Sequence, residues 1–110
     1  MRHLSKLILA CALITGCATA PAGPPKWLTN AQDAVAAAQA AGAAQVPAAQ
    51  EHLQKAQAAL ASAQSGKGDA QMNASLATAE AQLAGNLAKQ AKVQADLQAA
   101  TNQLNALKGQ

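Results

Sequence analysis

Few side chains in this 110-residue sequence could do chemistry. Two thiols, Cys11 and Cys17, stand near the N-terminus; beyond them lie one imidazole, His52, and the carboxylates Asp33, Glu51, Asp69, Glu80 and Asp96. A metal needs three or four N, S or O ligands at short recurring spacings, and His52 has no second ligand so placed. It is expected to be a half-exposed helix residue, with no metal site. Glu80 and Asp96 are sixteen residues apart on one expected helix, too far to act together as an acid and base, and both read as solvated positions. No nucleophile has a base beside it and no glycine-rich phosphate loop occurs. The expectation is therefore a non-enzymatic chain with no catalytic residues and no cofactor.

The thiols have a different context. Arg2 and Lys6 form a basic start, Leu7 to Ile14 a short apolar run, and small residues close it; this is the order of an export signal. About eight apolar residues are too few to span a bilayer as a helix. Ile14, Thr15, Gly16 and Cys17 resemble the bacterial lipobox. The resemblance implies cleavage before Cys17, diacylglyceryl transfer to its thiol and acylation of its new amine. Cys11 would leave with the leader, so no disulfide would remain. More than one acyl chain anchors stably, where a single chain holds only marginally. Ala18 follows Cys17, not the Asp that retains such lipoproteins in the inner membrane, so an outer-membrane anchor facing the periplasm is expected. The expected organisation is a signal peptide over 1–16, a lipidated, Pro-rich tether over 17–28 and an Ala-rich helical domain over 29–110. Between Ala18 and Lys26 the tether reaches up to about 28 Å. Trp27 is either an interfacial anchor or a cap packed on the first helix.

Composition sets the class. The sequence is 51% hydrophobic but 1% aromatic, with nearly a third of its residues alanine; such Ala- and Gln-rich chains favour helix and disfavour strand. The formal charge of +3 includes Arg2 and Lys6 of the leader, and past Cys17 there are six Lys against five acids and no Arg. These lysines are scattered, and no aromatic platform for bases exists, so a nucleic-acid partner is excluded.

The helical domain divides at turn signals. Thr29 and Gln32 have capping-box spacing for a first helix running to Gly42; Pro47 suits the first turn of a second, which carries Glu51 and Lys55 at i,i+4 and ends at Gly66, Lys67 and Gly68. Asp69 can cap a third helix from Ala70 to Lys108, about 57 Å long, with Gly85 and Asn86 as its expected bend. Val35, Gly42, Ala49, Ala56 and Ala63, with Val46, Leu53 and Leu60, keep one stripe in phase across Pro47, so the first two segments are expected to be nearly collinear. On the third helix Leu76, Leu83, Leu97 and Leu104 alternate with Met72, Ala79, Val93, Ala100 and Leu107 in a heptad pattern interrupted by Asn86 and Gln90. The expected fold is all-α, an elongated antiparallel helical hairpin whose first arm is broken near Gly42–Pro47; a three-helix bundle is the alternative. So few large apolar side chains suggest added stability from self-association, with Leu76, Leu83, Val93, Leu97, Leu104 and Leu107 as the interaction face.

Residues 30–88 resemble a bacterial family of unknown function: short Ala-rich lipoprotein domains often found ahead of an OmpA-type peptidoglycan-binding domain. The shared features are the Ala41, Gly42, Ala43 run before Pro47, the spaced Leu53, Ala56 and Leu60, the Gly68, Asp69 restart, and Leu76, Ala77, Glu80, Ala81, Leu83 and Ala84. Val46 departs from the aromatic expected there. More distantly, the chain resembles the small helical murein lipoproteins, some of them joined to the wall through a terminal Lys; here Lys108 is followed by Gly109 and Gln110.

The expected function is thus a non-enzymatic cell-envelope lipoprotein, a helical spacer or protein-interaction module anchored by acylated Cys17. Its expected partners are the membrane through the lipid, and a second copy or another envelope protein. A peptidoglycan-associated or accessory lipoprotein of an envelope machine is the alternative, although no motif supports peptidoglycan binding.

Overall fold

Every regular element of the computed structural model, which describes residues 23–110, is helical. Helix α1 spans Lys26–Ala40, a 3-10 turn follows at Ala43–Gln45, α2 spans Pro47–Ser65 and α3 spans Ala70–Lys108. The described chain is all-α, with no strand.

Pro25 sets the start of α1. Its φ of −59° and ψ of 147° are extended, and its carbonyl accepts the first amides of the helix, Leu28 at 3.0 Å and Thr29 at 3.2 Å. Lys26, Trp27 and Leu28 therefore belong to the helix and not to a tether. Thr29 cannot cap amides that already lie inside the helix; its hydroxyl turns back to the Pro25 carbonyl at 3.5 Å, so the Thr29–Gln32 box does not form.

The break falls where it was expected. Gly42 takes φ 88°, a left-handed conformation open to glycine, and Val46 is extended (φ −109°, ψ 113°) because the following proline disfavours the helical region for it. Pro47 then opens α2 in its first turn. At the far end Gly66 (φ 70°) closes α2, with the Lys67 amide donating to the Ser62 carbonyl at 3.1 Å. The Asp69 carboxylate caps α3 by accepting from the Met72 backbone amide at 3.0 Å, and the Asn73 side-chain amide donates to the Lys67 carbonyl at 2.9 Å, tying the turn to the helix.

Packing shows that the break is a reversal. Ala31 near the start of α1 packs with Ala59 and Ala63 near the end of α2 and with Ala74 and Ala77 near the start of α3. Val35 and Ala38 pack instead with Ala49, Leu53 and Ala56 of α2 and Ala81, Ala84 and Ala88 of α3. So α1 runs parallel to α3, and α2 runs antiparallel to both. A collinear α1 and α2 would hold Ala31 and Ala59 about 42 Å apart at 1.5 Å per residue; that expectation is corrected. The in-phase stripe was real, since Val35, Ala49, Leu53, Ala56 and Ala63 are all buried, but a stripe keeps its phase whether the chain continues or turns back onto the same core. Helices α2 and α3 form the antiparallel hairpin, α1 folds back against it, and together they make a three-helix bundle.

The core is alanine. Apart from Val35 and Leu53, every buried hydrophobic residue is an alanine, which lets the helix backbones approach closely. Gly85 sits where α1 and α3 meet, and a methyl built on it would lie 3.7 Å from the Ala38 Cα. Helix α3 passes through Gly85 and Asn86 without a break. Beyond Ala88, the last buried residue, the helix leaves the bundle, and from Lys92 onward every residue is exposed. At 1.5 Å per residue, the 20 helical positions after Ala88 project about 30 Å.

Candidate interaction surface

Helix α3 carries two apolar stripes half a turn apart. Ala74, Ala77, Ala81, Ala84, Gly85 and Ala88 face the bundle and are buried. At 100° per residue, Leu76, Ala79, Leu83, Asn86 and Gln90 fall on the opposite side, and all are exposed. Every residue of the expected interaction face, Leu76, Leu83, Val93, Leu97, Leu104 and Leu107, together with Met72, lies on this outward side or its continuation along the projecting helix. Their exposure ranges from 43% at Leu83 to 69% at Leu107. The structure thus assigns the heptad pattern no role in the intramolecular core. At about 25 cal/mol per Å² and 1.5–3 kcal/mol for burying a large aliphatic side chain, each represents roughly 60–120 Å² when fully covered. The exposed fractions leave on the order of 400 Å² of large apolar side chain open along α3, comparable to the largest apolar patch of an ordinary monomer, which is often functional.

The polar groups do not converge on a reaction centre. One pairing links helices: the His52 ring Nδ1 on α2 hydrogen-bonds Glu80 Oε2 on α3 at 2.6 Å, with both side chains partly buried at 26% and 21% exposure. Glu80 is therefore not the solvated carboxylate expected. It braces α2 against α3, and sequence reasoning missed it because the two positions meet only once α2 and α3 are in register. Asp96 is solvated as expected and pairs with Lys92 at 2.9 Å, while Glu51 pairs with Lys55 at 2.8 Å. The hydrogen bond donated by Lys55 holds the Glu51 carboxyl below its ordinary value, and donation to the Glu51 and Asp96 carboxylates raises the Lys55 and Lys92 ammonium groups. Such exposed pairs contribute little to stability. Among the described residues no group of three or more His, Cys, Asp or Glu could hold a metal. An open groove of about 590 Å³ runs between α1 and α3, floored by Ala34, Ala37, Ala38, Ala81 and Gly85 and edged by Asn30, Asp33, Thr78, Gln82, Asn86 and Lys89. It holds two opposite charges and no imidazole or thiol, so it offers no acid and base pair.

Trp27 is half-buried in the first turn of α1 and packs against the Ala31, Ala59, Ala63, Ala74 and Ala77 cluster, closing that end of the bundle. Cys17 and the residues Ile14, Thr15 and Gly16 before it lie outside the described residues, as does Cys11. No described helix is long and apolar enough to cross a membrane.

Fold and surface together define a small all-α bundle that presents one uncovered apolar helix face. No protein-family model matches the chain, and neither a curated protein nor a solved structure does.

Proposed function

We propose that this chain is a non-enzymatic cell-envelope lipoprotein, anchored in the outer membrane on the periplasmic side through acylated Cys17, whose helical domain is a spacer and protein-interaction module. The observation that carries the interaction role is the outward stripe of α3, apolar except at Asn86 and Gln90 and turned away from the bundle that α3 helps to build. The anchor rests on the leader: a basic start, a short apolar run, and Ile14, Thr15, Gly16, Cys17.

The bundle's direction supports the spacer role. Because α1 runs parallel to α3, Lys26, where the tether would end, lies at the same end of the bundle as the start of α3. The free half of α3 projects from the opposite end. A lipid at Cys17 would hold the bundle near the bilayer and leave the projecting helix directed away from the tether, with its apolar face open to a partner.

Fractionation of the protein made with its leader, beside a Cys17→Ala variant, tests the anchor. The parent chain is expected in outer-membrane fractions and the variant is not; equal distribution of the two would overturn it. Pull-down with purified sacculi after lipid removal separates the peptidoglycan-associated reading, which requires co-sedimentation, from the interaction module, which does not.

A further inference from the structure

The residues along the outward seam of α3 are arranged symmetrically about position 88. Reading outward from that point, Asn86 matches Gln90, Leu83 matches Val93, Ala79 matches Leu97, Leu76 matches Ala100, and Met72 matches Leu104. In each pair one residue occupies an a position of the heptad and the other a d position, the pairing that an antiparallel two-stranded coil places in one layer. We infer that two copies of this chain associate through α3 as an antiparallel pair centred near residue 88. This deepens the interaction-module reading and rests on it, naming a second copy as the partner; it makes no use of the lipid.

Three observations select this occupant. The layers are complementary in size: Ala79 receives Leu97 of the second copy and Ala100 receives its Leu76, whereas an in-register parallel pair would stack alanine on alanine and leucine on leucine. The polar layer is also matched, because Asn86 meets Gln90, and two amides each donate and accept; sliding the copies by a heptad would set each amide against an apolar residue. The extent is sufficient as well. The large side chains leave on the order of 400 Å² open on each copy, and the Ala79, Asn86, Gln90 and Ala100 layers with their flanking stems carry the area toward the about 800 Å² per partner of a stable interface.

The geometry leaves room. The buried Ala stripe of α3 holds α1 and α2 on one side and the large seam residues are exposed on the other, although Ala79 and Asn86 also border the grooves beside α1, so a second α3 would pass close to that helix. The projecting half of each α3 covers the back of its partner's bundle, where Leu76 and Leu83 are exposed. That gives tertiary packing to a helical segment which otherwise stands alone in water, and packing of an apolar face supplies most of a helix's stability in proteins. The two Lys89 side chains come to the same flank near the centre, and each is exposed and free to turn into solvent.

Disulfide trapping in whole producing cells, on the full-length chain, tests the arrangement. Ala79→Cys and Leu97→Cys are made singly and together, with Leu76→Cys and Ala100→Cys as an independent pair and Lys92→Cys as an off-seam control. The parent chain, with its own two cysteines, sets the background. Residues 79 and 97 are about 27 Å apart on one helix, so they cannot bridge within a chain. The expected result is a dimer band several-fold above background in both double variants and background levels in every single variant and in the control. Strong dimer bands from the single variants would mean a parallel pair and would overturn the antiparallel arrangement. Background levels throughout, with both pairs tried, would overturn the second copy as partner. Fractionation of the same samples keeps the two readings apart: a membrane-held chain that does not cross-link overturns this inference alone, and a cross-linked chain that is not membrane-held overturns the anchor alone.

Discussion

Replacing Gly85 by alanine is expected to stabilise the protein, although Gly85 is buried at a helix contact where a larger residue would ordinarily be harmful. The position is helical and glycine there costs about 1 kcal/mol relative to alanine. The added methyl would lie 3.7 Å from the Ala38 Cα and 3.9 Å from its Cβ, ordinary contact distances, so the gain is not offset by a clash. A gain of about 1 kcal/mol raises the Tm of a domain of this size by roughly 4–8 °C. Gly66→Ala is the internal contrast. A methyl there would meet nothing within 4 Å, but its φ is 70°, where a Cβ costs about 1–2 kcal/mol, so the same substitution lowers the Tm by a similar amount. Thermal unfolding followed by far-UV circular dichroism, at one fixed protein concentration because association shifts Tm, reads both. A Gly85→Ala variant less stable than the parent would refute the α1–α3 packing described above.

Ala81→Leu, on the buried face of α3, is expected to cost about 1–3 kcal/mol by overpacking. Leu83→Gln, two residues on but facing outward, should change the unfolding of the monomeric bundle, read at protein concentrations too low for association, by less than about 0.5 kcal/mol; equal effects in denaturant titrations would contradict the division of α3 into two faces. Asp69→Ala removes the cap of α3 and is expected to cost about 1 kcal/mol, with Asp69→Asn restoring most of it. A double-mutant cycle on His52→Ala and Glu80→Ala should give a coupling of about 1 kcal/mol, the net worth of a partly buried hydrogen bond, and additive losses would show that the pair does not brace α2 against α3.

What the sequence makes legible here is local. Gly42, Pro47, Gly66, Gly68 and Asp69 each need or favour one backbone conformation, so the element boundaries could be read from them. The start of α1 was misplaced because Thr29 and Gln32 match a capping box, while the effective boundary is Pro25, whose fixed φ begins the helix one turn earlier. The course of the chain at Gly42–Pro47 could not be read from periodicity, since the Val35 to Ala63 stripe meets the core on both legs of a reversal. On α3 the large Leu and Val side chains drew attention to the heptad, and the Ala74, Ala77, Ala81, Ala84, Ala88 series, equally regular, was the stripe that the bundle buries. In a chain this rich in alanine, close approach of backbones decides what packs inside, and the larger side chains are left outside. The expected surface residues were therefore placed together on one face, whereas the cross-helix polar pair of His52 with Glu80 depended on tertiary register alone.

The central claim is that a lipid on Cys17 holds this bundle at the envelope with the outward face of α3 free to bind. The most direct test of the anchor is the intact mass of the protein purified from membranes. A chain that begins at Cys17 and carries a diacylglyceryl group with a further acyl chain is the predicted result. An unmodified chain, or one beginning at another residue, would contradict the account.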